Sequence, residues 1–155
     1  MASAATPAPK STPSHNKALV WIFFDEVFNK GQFDVVSKLG PNYKFNGQPQ
    51  NNADFIGWVN SLRSTYPNIN VTFVSSVAED DTVAIRWHMT GSHDQADGCW
   101  TVDAYGNNVF TFSPAGDILT NDQAGSCTRV QDGTTTTLGS EAILAPLSAT
   151  WKPAA

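Results

Sequence analysis

Amide and carboxylate side chains alternate with apolar ones between Gly106 and Gln123, and such residues can bind or protonate a small molecule. Two strand-prone runs flank Ser113–Asp117, whose proline and glycine are typical of a turn, so the segment is predicted to form a β-hairpin. Because side chains alternate between the two faces of a strand, Asn108 shares a face with Phe110 and Phe112 on the first arm.

The second arm of the hairpin carries polar groups on both faces. Asn121 and Gln123 share a face with Leu119, whereas Asp122 shares the opposite face with Thr120. Either face places polar side chains beside apolar ones, which is the composition of a sheet that lines a pocket. The alternative is a half-solvated hairpin that binds no ligand.

Other residues capable of chemistry lie on the neighbouring predicted strands. His88 alternates with an apolar series and is expected to point outward, whereas His93 follows Gly91 at the end of its strand and can enter a cavity. Tyr105 is a candidate for the pocket if its face of the sheet is the inner one. Two tryptophans are expected in the core, where they would also form the pocket wall: Trp58 and Trp87.

The composition excludes several classes of function. A chain of 155 residues with 41% hydrophobic content is long enough for one core and too short for two ordinary domains. Its net charge of −5 argues against a nucleic acid or an anionic membrane surface as partner, since both require basic patches. There is no long apolar run and no apolar signal segment, so a cytoplasmic protein is expected.

Motifs for common cofactors are missing from the sequence. It contains no P-loop, no Rossmann glycine fingerprint and no cluster of residues with metal-ligand spacing, so no nucleotide, no metal and no other cofactor are predicted. Cys99 and Cys127 are the two cysteines, and in an intracellular chain they are expected to be free thiols.

The periodicity predicts helices first and strands afterwards. Residues 1–14 are rich in Ala, Pro, Ser and Thr and are expected to form a disordered tail. Three helices are then predicted: one after Ser14 and closed by Gly31, a short one over 33–39, and one capped by Asp54. A meander of strands follows, with the second hairpin arm running to about residue 130, and this order indicates an α+β fold. Residues 131–155 are predicted to be an extension with a short helix that docks on the domain.

Four segments carry a resemblance to a known family. They cover Phe23–Gly31, Tyr66–Asn68, Val83–His93 and Val109–Ile118. This pattern resembles the NTF2-like superfamily and, within it, the SnoaL-like polyketide cyclase group. The resemblance implies a cone over about residues 15–130, in which three helices pack on a strongly curved antiparallel or mixed sheet around an internal cavity.

Enzymes similar to this chain carry out acid–base chemistry on carbonyl compounds inside the cone. The resemblance puts Phe24 where the similar ketosteroid isomerases have an oxyanion-binding tyrosine, and Asn108 where they have a protonated aspartic acid. An asparagine amide still donates a hydrogen bond, whereas phenylalanine does not.

The acid/base position of the SnoaL-like cyclases falls on Gln123, and the histidine two residues earlier falls on Asn121. Asp122 is one position away and would face the cavity only if a β-bulge near residues 120–121 re-aimed the strand. Asn46 falls near a polar position at the end of the first strand of many relatives.

Two functions from different classes follow. The first is a cofactor-free enzyme that cyclises, isomerises or dehydrates a hydrophobic carbonyl or epoxide compound in specialised metabolism. In it, Asp122 or His93 would move the proton, and Asn108, Asn46 and Asn121 would position oxygens. The second is a binding or assembly module that keeps the cone without the chemistry. For either function, the resemblance implies a homodimer that pairs through the outer side of the sheet.

Overall fold

The computed structural model describes residues 10–95, 98–131 and 134–139, and in this part of the chain helices pack on a seven-stranded sheet. In chain order, the elements are α1 (Pro13–Phe24) with a π-helical turn at Asp25–Lys30, a 3₁₀ helix at Asp34–Lys38, β1 (Leu39–Phe45), β2 (Gln48–Pro49), α2 (Asn52–Thr65), β3 (Asn70–Glu79), β4 (Thr82–Gln95), β5 (Gly98–Phe112), β6 (Ile118–Gln131) and β7 (Thr134–Gly139).

The strand order in the sheet is β2-β1-β6-β5-β4-β3, and β7 pairs with the last part of β6. All neighbouring strands are antiparallel except β1 and β6, which run parallel. The predicted α+β fold with a mixed sheet is therefore confirmed. Residues 1–9 and the predicted C-terminal helix lie outside the described residues.

The helix boundaries differ from the prediction in ways that local chemistry explains. Thr12, rather than Ser14, caps α1, because its Oγ1 accepts a hydrogen bond from the His15 amide and Pro13 occupies the first helical position. Asn51, rather than Asp54, caps α2 through a bond of 2.8 Å from the Asp54 amide to its Oδ1. Gly31 ends the first helical segment at φ 68°, as predicted.

The described chain contains two α-helices, so the prediction of three was wrong. The apolar residues of the predicted second helix form a five-residue 3₁₀ helix, Asp34–Lys38, which leads directly into β1. A segment this short cannot recover the cost of starting an α-helix, because too few hydrogen bonds follow the first turn.

The core lies between the helices and the face of the sheet that they cover, which is called the inner face below. As predicted, β4 turns an apolar series inward, and β5 adds two phenylalanines: Val83, Ile85, Trp87, Met89, Phe110 and Phe112. Opposite them, α1 and α2 contribute buried residues that include Val20, Phe23, Phe24, Phe55 and Val59. Each large apolar side chain buried here contributes about 1.5–3 kcal/mol.

Asn29 joins the end of the first helical segment to the edge strand β3. Its Oδ1 accepts from the Val71 amide at 2.7 Å, and its Nδ2 donates to the Val71 carbonyl at 2.9 Å. The side chain therefore satisfies backbone groups that an edge strand would otherwise leave open to another chain. This attachment also holds the Phe24–Phe28 turn over the inner face.

Candidate functional site

Two asparagines are buried on the inner face of the sheet. Asn108 of β5 and Asn121 of β6 are 2% and 5% exposed. The strand register places Asn108 opposite Gln123 and Phe110 opposite Asn121, so these side chains form adjacent pairs on one face. The prediction that Asn108 and Asn121 face the interior is confirmed.

A directed row of hydrogen bonds joins these amides. Trp87 Nε1 donates to Asn108 Oδ1 at 2.5 Å, and Asn108 Nδ2 donates to Asn121 Oδ1 at 2.6 Å. An indole N–H can only donate, so it fixes the Asn108 oxygen toward Trp87 and the Asn108 nitrogen toward Asn121. The Asn121 side-chain nitrogen is then the last group in this series of hydrogen bonds. Trp87, Asn108, Asn121 and the adjoining Tyr43 are called the polar row below.

Gly106 makes room for the first member of the row. A Cβ atom at this position would lie 2.1 Å from Cζ2 of the Trp87 indole and 2.6 Å from its Cε2. The strand register places Gly106 directly opposite Trp87. The indole therefore lies flat across the backbone of β5, where no other residue at position 106 would leave space for it.

Tyr43 of β1 forms the other end of the polar row. Its side chain is 2% exposed, and within the described chain its hydroxyl makes no hydrogen bond of normal geometry. Burial raises the pKa of Tyr43 to about 12; the Asn121 amide acts in the opposite direction, and the negative charge of Asp122 adds to the increase. The phenol therefore stays protonated at neutral pH and can donate its hydrogen.

Aromatic rings surround the polar row. Phe24 packs against Phe110 with ring centroids 6.0 Å apart and against Phe73 at 5.4 Å. The half-buried Trp58 contacts the Phe45 ring at 6.3 Å and the Phe28 ring at 5.9 Å. Phe24 and Trp58 thus make the surroundings of the polar row apolar, and the polar row supplies the hydrogen-bonding groups of this part of the inner face.

Asp122 lies on the outer face, so the prediction that a bulge turns it inward was wrong. The bulged residue is Leu119, because Phe112 pairs with Ile118 whereas Thr111 pairs with Thr120. From Thr120 onward the alternation is regular, which turns Asn121 inward and exposes Asp122 beside Val109. The bulge precedes Asn121 and brings the amide, rather than the carboxylate, into the site.

Tyr105 also lies on the outer face and is 41% exposed, contrary to its predicted place in the pocket. Its ring stacks on the His88 imidazole with centroids 4.3 Å apart, and the Arg86 guanidinium lies 5.7 Å from the ring centroid. His88 in turn contacts Asp103. The outward orientation predicted for His88 is confirmed, and this cluster is separated from the polar row by the sheet.

Asn46 and Gln123 flank the polar row without joining it. Asn46 is exposed in the left-handed turn between β1 and β2, at φ 48°, and its Oδ1 accepts from the Gln123 amide at 2.7 Å. The backbone N–H of Asn46 donates to the backbone carbonyl of Asn121 at 3.0 Å. Asn46 therefore fixes β1 to β6, and the half-buried Gln123 follows on the inner face.

His93 belongs to β4, where its backbone pairs with Trp100, but its side chain lies outside the described part of the structure. Among the described residues, no group of three or more His, Cys, Asp or Glu side chains is arranged to hold a metal ion. A surface depression of about 380 Å³ lies on the exposed side of α2 between Asn60 and Thr65 and does not include the polar row. No described helix is both long and apolar enough to cross a bilayer.

Tyr43 is a site residue that was not predicted from the sequence. Its inward orientation was recoverable from the alternation of Tyr43 and Phe45 with polar neighbours. Its position beside Asn121 could not be predicted, because it depends on the parallel pairing of β1 with β6. This pairing places Phe45 opposite Asn121, although the two residues are far apart in the sequence.

Similarity to known proteins agrees with this architecture. The SnoaL-like polyketide cyclase family matches residues 18–108, which is more than half of the chain. No curated protein sequence matches.

Three solved structures illustrate the similarity in fold. AclR from Streptomyces galilaeus is 16% identical, with a TM-score of 0.62 over 74% of this chain and 90% of AclR. An NTF2-like protein of unknown function from Exiguobacterium sp. 255-15 is 22% identical, with a TM-score of 0.54 over 69% of this chain and 97% of that protein. SalBIII, described as an epoxide hydrolase/cyclase-like enzyme in pyran ring formation of the polyether salinomycin, is 20% identical, with a TM-score of 0.55 over 71% of this chain and 89% of SalBIII. The chain therefore belongs to the SnoaL-like polyketide cyclase family, and its fold is NTF2-like.

Proposed function

We propose that this chain is a cofactor-independent enzyme that activates an oxygen atom of a hydrophobic carbonyl or epoxide compound and thereby promotes its cyclisation, isomerisation or dehydration. The observation that carries the proposal is the Tyr43 hydroxyl, a buried donor without a hydrogen-bond partner among the described residues. A substrate oxygen is the acceptor that such a donor lacks.

The polar row strengthens Tyr43 as a donor. Each bond from Trp87 to Asn108 to Asn121 directs its hydrogen toward the Tyr43 end. The Asn121 amide favours the ionised form of Tyr43, which means that it stabilises negative charge on the phenolic oxygen. The row thus ends in an amide dipole beside Tyr43, and a preorganised dipole of this kind stabilises negative charge that develops on a nearby oxygen.

The aromatic walls would hold the rest of the substrate. Phe24, Phe110 and Trp58 offer flat apolar surfaces, and a substrate that binds by one oxygen at Tyr43 must lay its carbon skeleton against them. Holding the reacting groups of the bound molecule in a productive orientation lowers the barrier to their reaction. The part of SalBIII in pyran ring formation, as an epoxide hydrolase/cyclase-like enzyme, supports this class of reaction without specifying the substrate.

A second candidate function is binding without chemistry, as in a carrier or assembly module. It is favoured by the absence of any carboxylate, imidazole or ammonium group from the polar row, whose members are two amides, an indole and a phenol. None of these accepts a proton at neutral pH. In the enzyme, His93 is the remaining candidate of the sequence analysis for that task.

Turnover by matched tyrosine variants separates the two functions. The probes are styrene oxide, which isomerises to phenylacetaldehyde, and acetonylacetone, which closes by an aldol reaction and dehydrates to methylcyclopentenone. For an enzyme, Tyr43→Phe should lower turnover by about 10²–10³-fold, the usual effect of losing one donor to a developing oxyanion. Tyr105→Phe, on the outer face, should leave it unchanged.

Binding of the same probes is followed by the NMR signal of the Trp87 indole N–H, which reports on the polar row. Binding to the wild type with no conversion above the protein-free rate would favour the binding module. Conversion that is equal in wild type and Tyr43→Phe would contradict the role of Tyr43.

We also propose that two copies of the chain associate through the outer face of the sheet. Exposed apolar residues on β3 and β5 support the proposal, since Val77 is 69% and Val109 is 40% exposed. Contact between copies would remove this surface from water.

A further inference from the structure

Gln50 lies beside Tyr43 on the inner face. Its backbone N–H donates to the Tyr43 carbonyl at 3.1 Å, directly after β2. The register of this hairpin pairs Lys44 with Pro49 and Phe45 with Gln48, and its next step places Gln50 opposite Tyr43. Residues directly opposite each other in antiparallel strands project from the same face, with Cβ atoms about 5 Å apart.

The two side chains present complementary polar atoms. Tyr43 Oη and Gln50 Oε1 are both buried, and neither has a hydrogen-bond partner among the described residues. At neutral pH, the protonated phenol offers a donor, and the amide oxygen offers only an acceptor. A buried acceptor left unpaired destabilises a structure, so a site that contains one favours a ligand that supplies the missing donor.

We infer that the substrate is a hydroxylated carbonyl or epoxide compound, whose reacting oxygen accepts from Tyr43 and whose hydroxyl group donates to Gln50 Oε1. The contact at Tyr43 rests on the proposed function, whereas the contact at Gln50 rests on its own geometry. A compound without the hydroxyl would bury the Gln50 oxygen unpaired, and sites built to hydrogen-bond a hydroxyl discriminate against such analogues. Gln50 is thus a specificity-determining residue.

Dissociation constants for acetophenone, meta-hydroxyacetophenone and para-hydroxyacetophenone test the inference. They are measured by NMR titration of the side-chain amide of Gln50 and the indole N–H of Trp87. At least one hydroxy compound should bind wild type about 2–12-fold more tightly than acetophenone, the effect of one net hydrogen bond.

Gln50→Met should abolish this preference, whereas Gln50→Glu, which keeps an acceptor, should retain it. Gln48→Met is the matched control, because Gln48 lies on the same hairpin and is exposed. This variant should behave as wild type.

The outcomes distinguish the inference from the function on which it partly rests. Equal binding of the three ketones by wild type, a preference that persists in Gln50→Met, or no spectral change at millimolar ketone would each overturn the inference. Tyr43→Phe should weaken all three ketones alike. If Tyr43→Phe changes none of the dissociation constants while the preference still depends on Gln50, the proposed function fails and the role of Gln50 stands.

Discussion

Replacing Tyr43 with Phe should stabilise the protein while it removes function. The Tyr43 hydroxyl is buried, and no group in the described chain accepts or donates a hydrogen bond of normal geometry with it. An unpaired buried hydroxyl costs about 1–3 kcal/mol of desolvation. The Phe variant avoids this cost and loses only the dispersion contacts of one oxygen atom, so the free energy of unfolding should rise by about 1 kcal/mol.

Thermal and urea denaturation measure this change directly. For a chain of 155 residues, 1 kcal/mol corresponds to an increase in Tm of about 2–4 °C. Tyr105→Phe serves as the control, because the exposed hydroxyl of Tyr105 contributes little to stability. This variant should have the same Tm and free energy of unfolding as wild type.

The opposite sign would refute the reasoning. If the Tyr43 hydroxyl were satisfied in the free protein, its removal would lower the free energy of unfolding by about 0.5–1.5 kcal/mol, as for an ordinary hydrogen bond. A destabilised Tyr43→Phe variant would therefore show that the hydroxyl already makes a hydrogen bond in the free protein and is not available to a ligand.

Three further predictions concern pH, packing and assembly. Because burial raises the pKa of Tyr43 from 10.0 to about 12, the unfolded chain loses this proton first, and the free energy of unfolding should fall by roughly 2 kcal/mol as pH rises from 10 to 12. Urea denaturation of Tyr43→Phe should lack this component, and an identical pH dependence in the two proteins would contradict it. In Gly106→Ala, the new Cβ would lie 2.1 Å from the Trp87 indole if the indole did not move. The free energy of unfolding should therefore fall by about 1–3 kcal/mol, and the NMR signal of the Trp87 indole N–H should shift. Unchanged stability with an unchanged signal would show that the indole is not packed tightly against Gly106. Light scattering should give twice the chain mass of 16.7 kDa at micromolar concentration, and Val109→Glu on the outer face should give the monomer; a monomeric wild type would exclude the proposed dimer.

Much of the fold was predictable because its strongest signals are local. The alternation from Val83 to Met89 identified the inner face of β4, and the turn chemistry around Pro114 and Gly116 identified the β5–β6 hairpin. Gly31 marked the end of the first helical segment, because a helix that ends in a left-handed residue favours glycine, which adopts positive φ without strain.

The parts of the site that escaped prediction depend on single-residue register and on distant pairing. The bulge at Leu119 decides whether Asn121 or Asp122 faces inward, because a strand without it would continue the inward alternation from Ile118 to Thr120 and Asp122. Tyr43 and Gln50 join the site only because β1 pairs with β6 far along the chain. Local periodicity carries no information about that contact.

In the proposed function, Tyr43 donates a hydrogen bond to the oxygen of a bound carbonyl compound. The most direct test is the C=O stretching frequency of carbonyl-labelled acetophenone bound to the protein, measured by isotope-edited infrared difference spectroscopy. A donated hydrogen bond weakens the C=O bond, so the account predicts a lower frequency in wild type and Tyr105→Phe than in Tyr43→Phe. The same frequency in all three proteins would contradict it.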